Sequence, residues 1–251
     1  KVVAIQRSKG YKVRTSFSPS QIGEVIKFVK SIREDIIVFV DNCYGEFVDT
    51  DEPTDHGADL IAGSLIKNPG GGLAPIGGYL AGRADLIERC AFRLTAPGLG
   101  KEVGPSLGGV LKTYYQGLSI APMIVANAVK NAHFLAAMAG ELGYRTCPDT
   151  FEKHHCIVQT VDLKDPDTLT KFCTALQAAS YVDSFVKPVG ADTPGYTDPV
   201  IMACGAFMEG SSIELSADGP MREPYTVYFQ GGLSHEHGRY AVLSAINTLR
   251  R

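Results

Sequence analysis

Tryptophan is absent from the 251 residues, and the six cysteines are scattered. Cys43, Cys90, Cys147, Cys156, Cys173 and Cys204 contain no C-x-x-C pair, so no disulfide framework or thiolate zinc site is expected. A reducing cytoplasm is the expected compartment. Long hydrophobic runs are lacking as well. The most apolar stretch, Ser119 to Val129, is interrupted and falls short of the roughly 20 residues that cross a bilayer. No basic-then-apolar leader opens the chain, so no signal peptide and no membrane partner are expected. Charge of one sign is missing too: 24 Lys and Arg face 27 Asp and Glu, a net charge of −3. That balance gives no global attraction to nucleic acid. Repeats and low-complexity segments are not evident. With 45% apolar and 20% charged residues, the chain reads as globular, forming one large domain or two modest ones.

Hydrophobic patterning predicts a βαβ rhythm in the first part. Val2 to Ile5 is a short β-branched run, and Ile36 to Val40 is a continuous one of the kind buried on both faces of a parallel sheet. Between them, Ser18 and Pro19 form a helix start, followed by Ile22, Val25, Ile26 and Val29 at helical spacing. Leu60 to Ala62 and Gly77 to Gly82 are further candidate strands. Leu107 to Leu142 is helical in pattern, with Pro122 expected to kink or split it. Strands are then expected at Cys156 to Val161, Val200 to Ala203, Ser212 to Leu215 and Thr226 to Phe229. Helices are expected at Pro166 to Ala179 and Ser234 to Leu249. The fold class is therefore α/β, a mainly parallel sheet followed by a smaller α+β domain, with a boundary near Gly104 to Gly108.

Ligands in such folds bind beyond the carboxyl ends of the strands, where Asp41, Ser64 and Lys67 fall. Taken alone, Lys67 reads as an exposed loop lysine, Ser64 as a turn residue and Asp41 as a turn former. The P-loop reading fails, because Lys67 precedes Gly70, Gly71 and Gly72 and is followed by Asn68. No G-x-G-x-x-G follows the first strand, which sets NAD aside. One cofactor fits all three residues. Pyridoxal phosphate takes an amine at its aldehyde, a carboxylate at its ring nitrogen and hydroxyls at its phosphate.

V-D-N-C-Y-G-E-F (Val40 to Phe47), G-A-D-L-I-A-G-S-L-I-K-N-P-G-G-G (Gly57 to Gly72) and G-G-Y-L-A-G-R (Gly77 to Arg83) resemble the fold-type I, pyridoxal-phosphate-dependent Cys/Met-metabolism superfamily. Within it the chain is most similar to the methionine γ-lyase-related "aluminium resistance" family. L-T-A-P-G-L-G-K-E-V-G (Leu94 to Gly104), E-L-S-A-D-G-P-M-R-E-P-Y (Glu214 to Tyr225) and Q-G-G-L-S-H-E-H (Gln230 to His237) agree. The resemblance implies a three-layer fold. Residues 1–105 would be the C-terminal part of the cofactor-binding large domain, and 106–251 an interdomain helix and small domain. It implies Lys67 as the Schiff-base lysine that later moves the substrate's α-proton, Asp41 at the pyridine nitrogen and Ser64 at the phosphate. Tyr44 and Asn42 would flank the ring, although Tyr44 reads equally well as a packing aromatic. Arg222 would take the substrate carboxylate, with Arg239 its rival. Family members also carry an upstream glycine-rich turn and a ring-stacking aromatic. None precedes Lys1, so the chain is expected to be about the C-terminal three-fifths of a complete enzyme.

The function implied is a carbon–sulfur lyase acting on a sulfur amino acid by β- or γ-elimination, of methionine γ-lyase or cystathionine β-lyase type. It would work as a homodimer or homotetramer. The alternatives are another fold-type I enzyme, an aminotransferase or racemase, or a truncated non-catalytic interaction module. Metal binding is not expected. Cys147, His154, His155 and Cys156 have the wrong spacing for zinc, and so do His235 and His237. Cys43 reads as a small buried hydrophobe.

Overall fold

The computed structural model describes residues 1–104, 106 and 108–250. The expected boundary at Gly104 to Gly108 and the expected helix start at Leu107 thus fall partly outside the described residues.

The first sheet has the order β1 (Val2–Gln6), β2 (Ile37–Asp41), β3 (Leu60–Ser64), β4 (Gly78–Gly82). Its first three strands are parallel, and β4 returns antiparallel to β3. Helix α1 (Pro19–Ile32) makes the crossover from β1 to β2. Its start follows the sequence reading: the Ser18 hydroxyl accepts from the Gln21 backbone N–H at 3.1 Å, and Gln21 accepts in return from the Ser18 N–H at 2.9 Å. Ile22 and Ile26 of α1 pack on Val38, Val40 and Ile61. The sequence predicts β2 to be buried on both faces, and here the structure differs. Val38 and Val40 are buried under α1, whereas Ile37 and Phe39 on the opposite face stay half-buried.

Helices α2 (Ala84–Leu94) and α3 (Leu111–Glu141) follow. Pro122 does not split α3, which runs through it as one helix of 31 residues. A proline costs a helix about 3 kcal/mol. The long buried stripe Ala121, Val125, Ala128, Ala132, Leu135 and Ala139 offsets that cost, at about 25 cal/mol for each Å² of apolar surface removed from water.

The second sheet is antiparallel throughout, in the order β5 (Thr146–Cys147), β6 (Gln159–Asp162), β9 (Thr226–Gln230), β8 (Ser216–Pro220), β7 (Val200–Ala203). Helices α4 (Pro166–Ala178) and α5 (His235–Asn247) pack against it. Phe172, Leu176, Val242 and Ile246 meet Val227 and Phe229 in the largest core, which Leu135 of α3 joins. Ser212 to Leu215, expected as a strand, is a turn. The ladder with β9 ends at Ser216 and Gln230; beyond it Gly231 and Gly232 adopt φ +89° and +104°, and the Gly232 N–H donates to the Ile213 carbonyl at 3.0 Å across a turn in place of a continued strand pairing. No described helix is long and apolar enough to cross a membrane.

Helix α3 is seated on the turn after β3 through two glycines. A Cβ on Gly117 would lie 2.2 Å from the Gly70 carbonyl oxygen. Gly117→Ala is therefore expected to lower stability by about 1–3 kcal/mol through forced separation of helix and turn. A urea midpoint equal to the parent's would contradict this contact.

Candidate functional site

Asp41 and Ser64 are the last residues of adjacent parallel strands. Asp41 pairs in register with Ala62, so Asp41, Ala62 and Ser64 lie on one face of the sheet. The turn after β3 brings Lys67 back over the strand ends. Its ammonium lies 4.2 Å from the centroid of the Tyr44 ring, a cation–π contact. Tyr44 reaches this place by a left-handed backbone, φ +73°, which is unfavourable for a residue with a side chain. Two contacts hold it there. The Tyr44 carbonyl accepts from the Ile157 N–H at 3.0 Å, and its ring packs against Ile157 and Ile213. Tyr44 is thus a packing aromatic and a floor for Lys67 at once. The Asp41 carboxylate accepts the Cys43 N–H at 3.1 Å.

Burial pushes the Lys67 amine down, but the Tyr44 hydroxyl, Cys43 thiol and Asp41 carboxylate together outweigh it and leave the amine above its ordinary value. Burial raises the Tyr44 phenol, and the Lys67 ammonium offsets part of that rise. Burial also pushes the Cys43 thiol up to about 11, which keeps it protonated and inert at neutral pH.

Asn42 faces the other way, because side chains alternate along a strand. Its amide donates to Glu52 at 2.9 Å and to the Tyr79 hydroxyl at 3.0 Å, while its Oδ1 accepts from Arg7 at 2.9 Å. The fully buried Arg7 guanidinium also reaches Glu52 at 2.8 Å and Asp49 at 3.0 Å. His155 and Lys153 complete the ring around Asp49 at 3.0 Å and 2.8 Å. Asn42 is therefore tied into the support beneath the site, and its polar atoms are engaged there. Arg7 itself carried no signal in the sequence beyond closing a strand.

Arg222 follows β8 and is half-exposed. It pairs with Asp198 at 2.9 Å and reaches the Tyr11 carbonyl at 3.4 Å, beside a small cleft also walled by Tyr228. Its rival Arg239 lies over the Phe134 ring on α5. Asp218, on β8, is a functional candidate missed in the sequence. Burial pushes its carboxyl up to about 6, with Tyr11, Lys67 and Gln230 restraining the rise. The only available signal was an acidic residue inside the otherwise small and apolar S-A-D-G-P segment. Of the Cys/His cluster, His154 bonds Gln159 at 2.8 Å and Cys156 accepts from Ser16 at 2.8 Å.

Glu46 lies beneath Lys67's turn. Its backbone carbonyl accepts from Asn68 at 3.0 Å and its Oε1 from the Tyr79 hydroxyl at 2.9 Å, while Oε2 is buried without a partner. Burial pushes its carboxyl up to about 7. The folded chain then keeps a proton that the unfolded chain releases above its ordinary carboxylate value, so stability falls as pH rises through about 4.5 to 7. Glu46→Gln is expected to remove that fall, worth roughly 3 kcal/mol. Urea unfolding at pH 5 and pH 8 measures it, and equal pH dependence in both proteins would contradict the assignment.

A family model described as methionine gamma-lyase matches residues 1–250. The YnbB protein of Bacillus subtilis (strain 168) is 52% identical over 249 residues, covering 99% of this chain and 59% of that one. A carbon-sulfur lyase involved in aluminum resistance from Clostridium novyi NT superposes with a TM-score of 0.91 at 51% identity, over 97% of this chain and 56% of that one. The chain thus spans less than two thirds of the length of these relatives. Serine palmitoyltransferase from Sphingomonas wittichii shares the fold alone, at a TM-score of 0.56 and 12% identity, over 99% of this chain and 53% of that one. A strand-end lysine on a tyrosine ring, an adjacent strand-end aspartate and a match along nearly every residue lead to one statement: the chain belongs to the methionine gamma-lyase family.

Proposed function

We propose that this chain supplies the lysine-bearing and substrate-facing parts of a pyridoxal-phosphate-dependent carbon–sulfur lyase. Its substrate would be a sulfur amino acid, cleaved by β- or γ-elimination. The observation that carries the reading is the placement of Lys67 on the Tyr44 ring, at the ends of the parallel strands, within the electrostatic reach of Asp41. The donor set fits the cofactor: an amine, a carboxylate and, on the same sheet face as that carboxylate, the Ser64 hydroxyl. Pyridoxal phosphate held by Lys67, Asp41 and Ser64 would supply an electron sink for charge left at the substrate's α-carbon.

The chain's own groups account for the rest. Lys67 Nζ would take the α-proton and return it, a role for its neutral amine, with the Tyr44 ring against it at 4.2 Å. Asp41 presents a negative charge at the strand end, which favours a protonated ring nitrogen beside it. Arg222 offers a guanidinium suited to two parallel hydrogen bonds with a carboxylate, in exchange for its present partner Asp198. The division into residues 1–105 and 106–251, and assembly as a homodimer or homotetramer in the cytoplasm, belong to the same proposal.

Adding pyridoxal phosphate, reducing with borohydride and measuring intact mass tests the reading. The parent is expected to gain one phosphopyridoxyl group, mapped to Lys67, and Lys67→Ala none. Asp41→Asn is expected to lower thiol release from the substrate about 100-fold or more, the scale of losing one preorganised charge. Attachment at another lysine, or full turnover in Asp41→Asn, would overturn the proposal.

A further inference from the structure

Between Tyr44 and the second sheet lies a cleft of about 660 Å³. Tyr44 forms part of its wall while also carrying Lys67 on its ring, so the cleft begins at the reacting lysine. Ser212, Ser216 and Gln230 line it, each more than nine-tenths buried. Their Oγ, Oγ and Oε1 atoms make no hydrogen bond to the protein. Leaving such an atom buried and unpaired costs about 1–3 kcal/mol, so three on one wall mark a place for a ligand.

The chemistry of the wall states which ligand. Gln230 has already given its Nε2 to Asp218 Oδ2 at 3.2 Å, so its remaining oxygen can only accept. Asp218 accepts as well, and the serine hydroxyls can. The acidic residues Asp183, Glu209 and Asp218 line the cleft, and among the described residues its lining holds no Lys, Arg or His; the nearest cation is Lys67 on the Tyr44 ring, at the inner end, where it acts on Asp218. Acceptors and negative charge call for a compact cation that donates several hydrogen bonds. Asp218 is also rigidly held. It sits in β8 between Met202 of β7 and Tyr228 of β9, in the interior of the sheet.

We propose that this cleft binds an ammonium group, and that Asp218 makes it the specificity pocket for sulfur amino acids whose side chain ends in a second ammonium beyond the sulfur. The inference rests on the lyase reading and narrows its substrate class. A thioether ending in a methyl group would leave the Gln230 oxygen and the serine hydroxyls desolvated without partners. A carboxylate end would meet three acidic side chains. An ammonium end would satisfy the orphaned acceptors and sit against Asp218. Sites built for hydrogen bonding reject isosteres that lack the matching group far more strongly than apolar pockets do.

Two isosteres test it: S-(2-aminoethyl)cysteine and S-propylcysteine, which present the same bond to be broken and differ only at the far end. Cofactor-loaded enzyme is expected to prefer the ammonium-ended compound by about 100-fold or more in kcat/KM. Calorimetric binding to the protein without cofactor is expected to rank the two in the same order. In Asp218→Asn the preference should fall to within about threefold through loss of the ammonium-ended compound alone, and Asp218→Glu should restore part of it. Equal binding of the two compounds by the parent overturns the inference, as does an equal loss for both in Asp218→Asn. Should Asp218→Asn fail to fold, the parent's ratio decides alone. A binding preference without thiol release from either compound would leave the pocket standing and defeat the lyase reading instead.

Discussion

The arrangement at the strand ends depends on a guanidinium with no access to water. Arg7 is fully buried, and a charge of that kind costs several kcal/mol to desolvate unless it is closely paired. Asn42, Asp49 and Glu52 surround it at 2.8 to 3.0 Å, and all three belong to the stretch that leaves β2. The pairing is possible because position 45 has no side chain: a Cβ on Gly45 would lie 2.5 Å from Arg7 Cδ. Losing Asp49 or Glu52 would strip the buried guanidinium of one of its two carboxylates, and losing Asn42 would take a hydrogen bond from it, so the stretch from Asp41 to Glu52 has little freedom to move. Asp41, Cys43 and Tyr44, the groups of that stretch that act on Lys67, inherit this rigidity.

Much of the scaffold was legible in the sequence because local rules decided it. Ser18 and Pro19 start a helix wherever they precede an amphipathic run, and the β-branched runs around Ala4, Phe39 and Ile61 have no better alternative than strands. Tertiary contacts decided the rest. Pro122 lies inside an unbroken helix because buried surface along α3 outweighs a local penalty. Ser212 to Leu215 is apolar enough for a strand, yet the facing Gly231 and Gly232 take left-handed backbone and meet it as a turn, with Gly232 bonded to Ile213. Gly70 to Gly72, whose place after Lys67 excludes a P-loop, owe part of their composition to packing: Gly70 serves the approach of α3.

The site divides along the same line. Asp41 and Lys67 were legible through spacing and family resemblance. The separation of Asn42 from Asp41 follows from the alternation of side chains, a rule available from the sequence and outweighed there by simple adjacency. Arg7 and Asp218 could not be read in that way. Arg7 acquires its role from acceptors more than 30 positions away, and Asp218 from a cleft that Tyr44, far off in the sequence, helps to wall.

The two faces of the β2 and β3 ends therefore do different work with the same pleat. On the α1 face, Asn42, Tyr79, Glu46 and Arg7 exchange hydrogen bonds among themselves, leaving Glu46 Oε2 and Arg7 Nε unpaired, and hydrogen bonds in a low dielectric are strong. On the opposite face lie Asp41, whose Oδ1 accepts only a local bond from the Cys43 N–H among the described residues, and Ser64 beside it. Tyr44 crosses between these regions, and it does so at φ +73°, a conformation that costs of order 1–3 kcal/mol for a residue with a side chain. That strain persists because the Arg7 cluster holds the loop at one end and Ile157 and Ile213 clamp the tyrosine at the other. The same ring lies against Lys67 and forms part of the acidic cleft's wall. One strained residue thus couples the position of the amine to the shape of the pocket beside it.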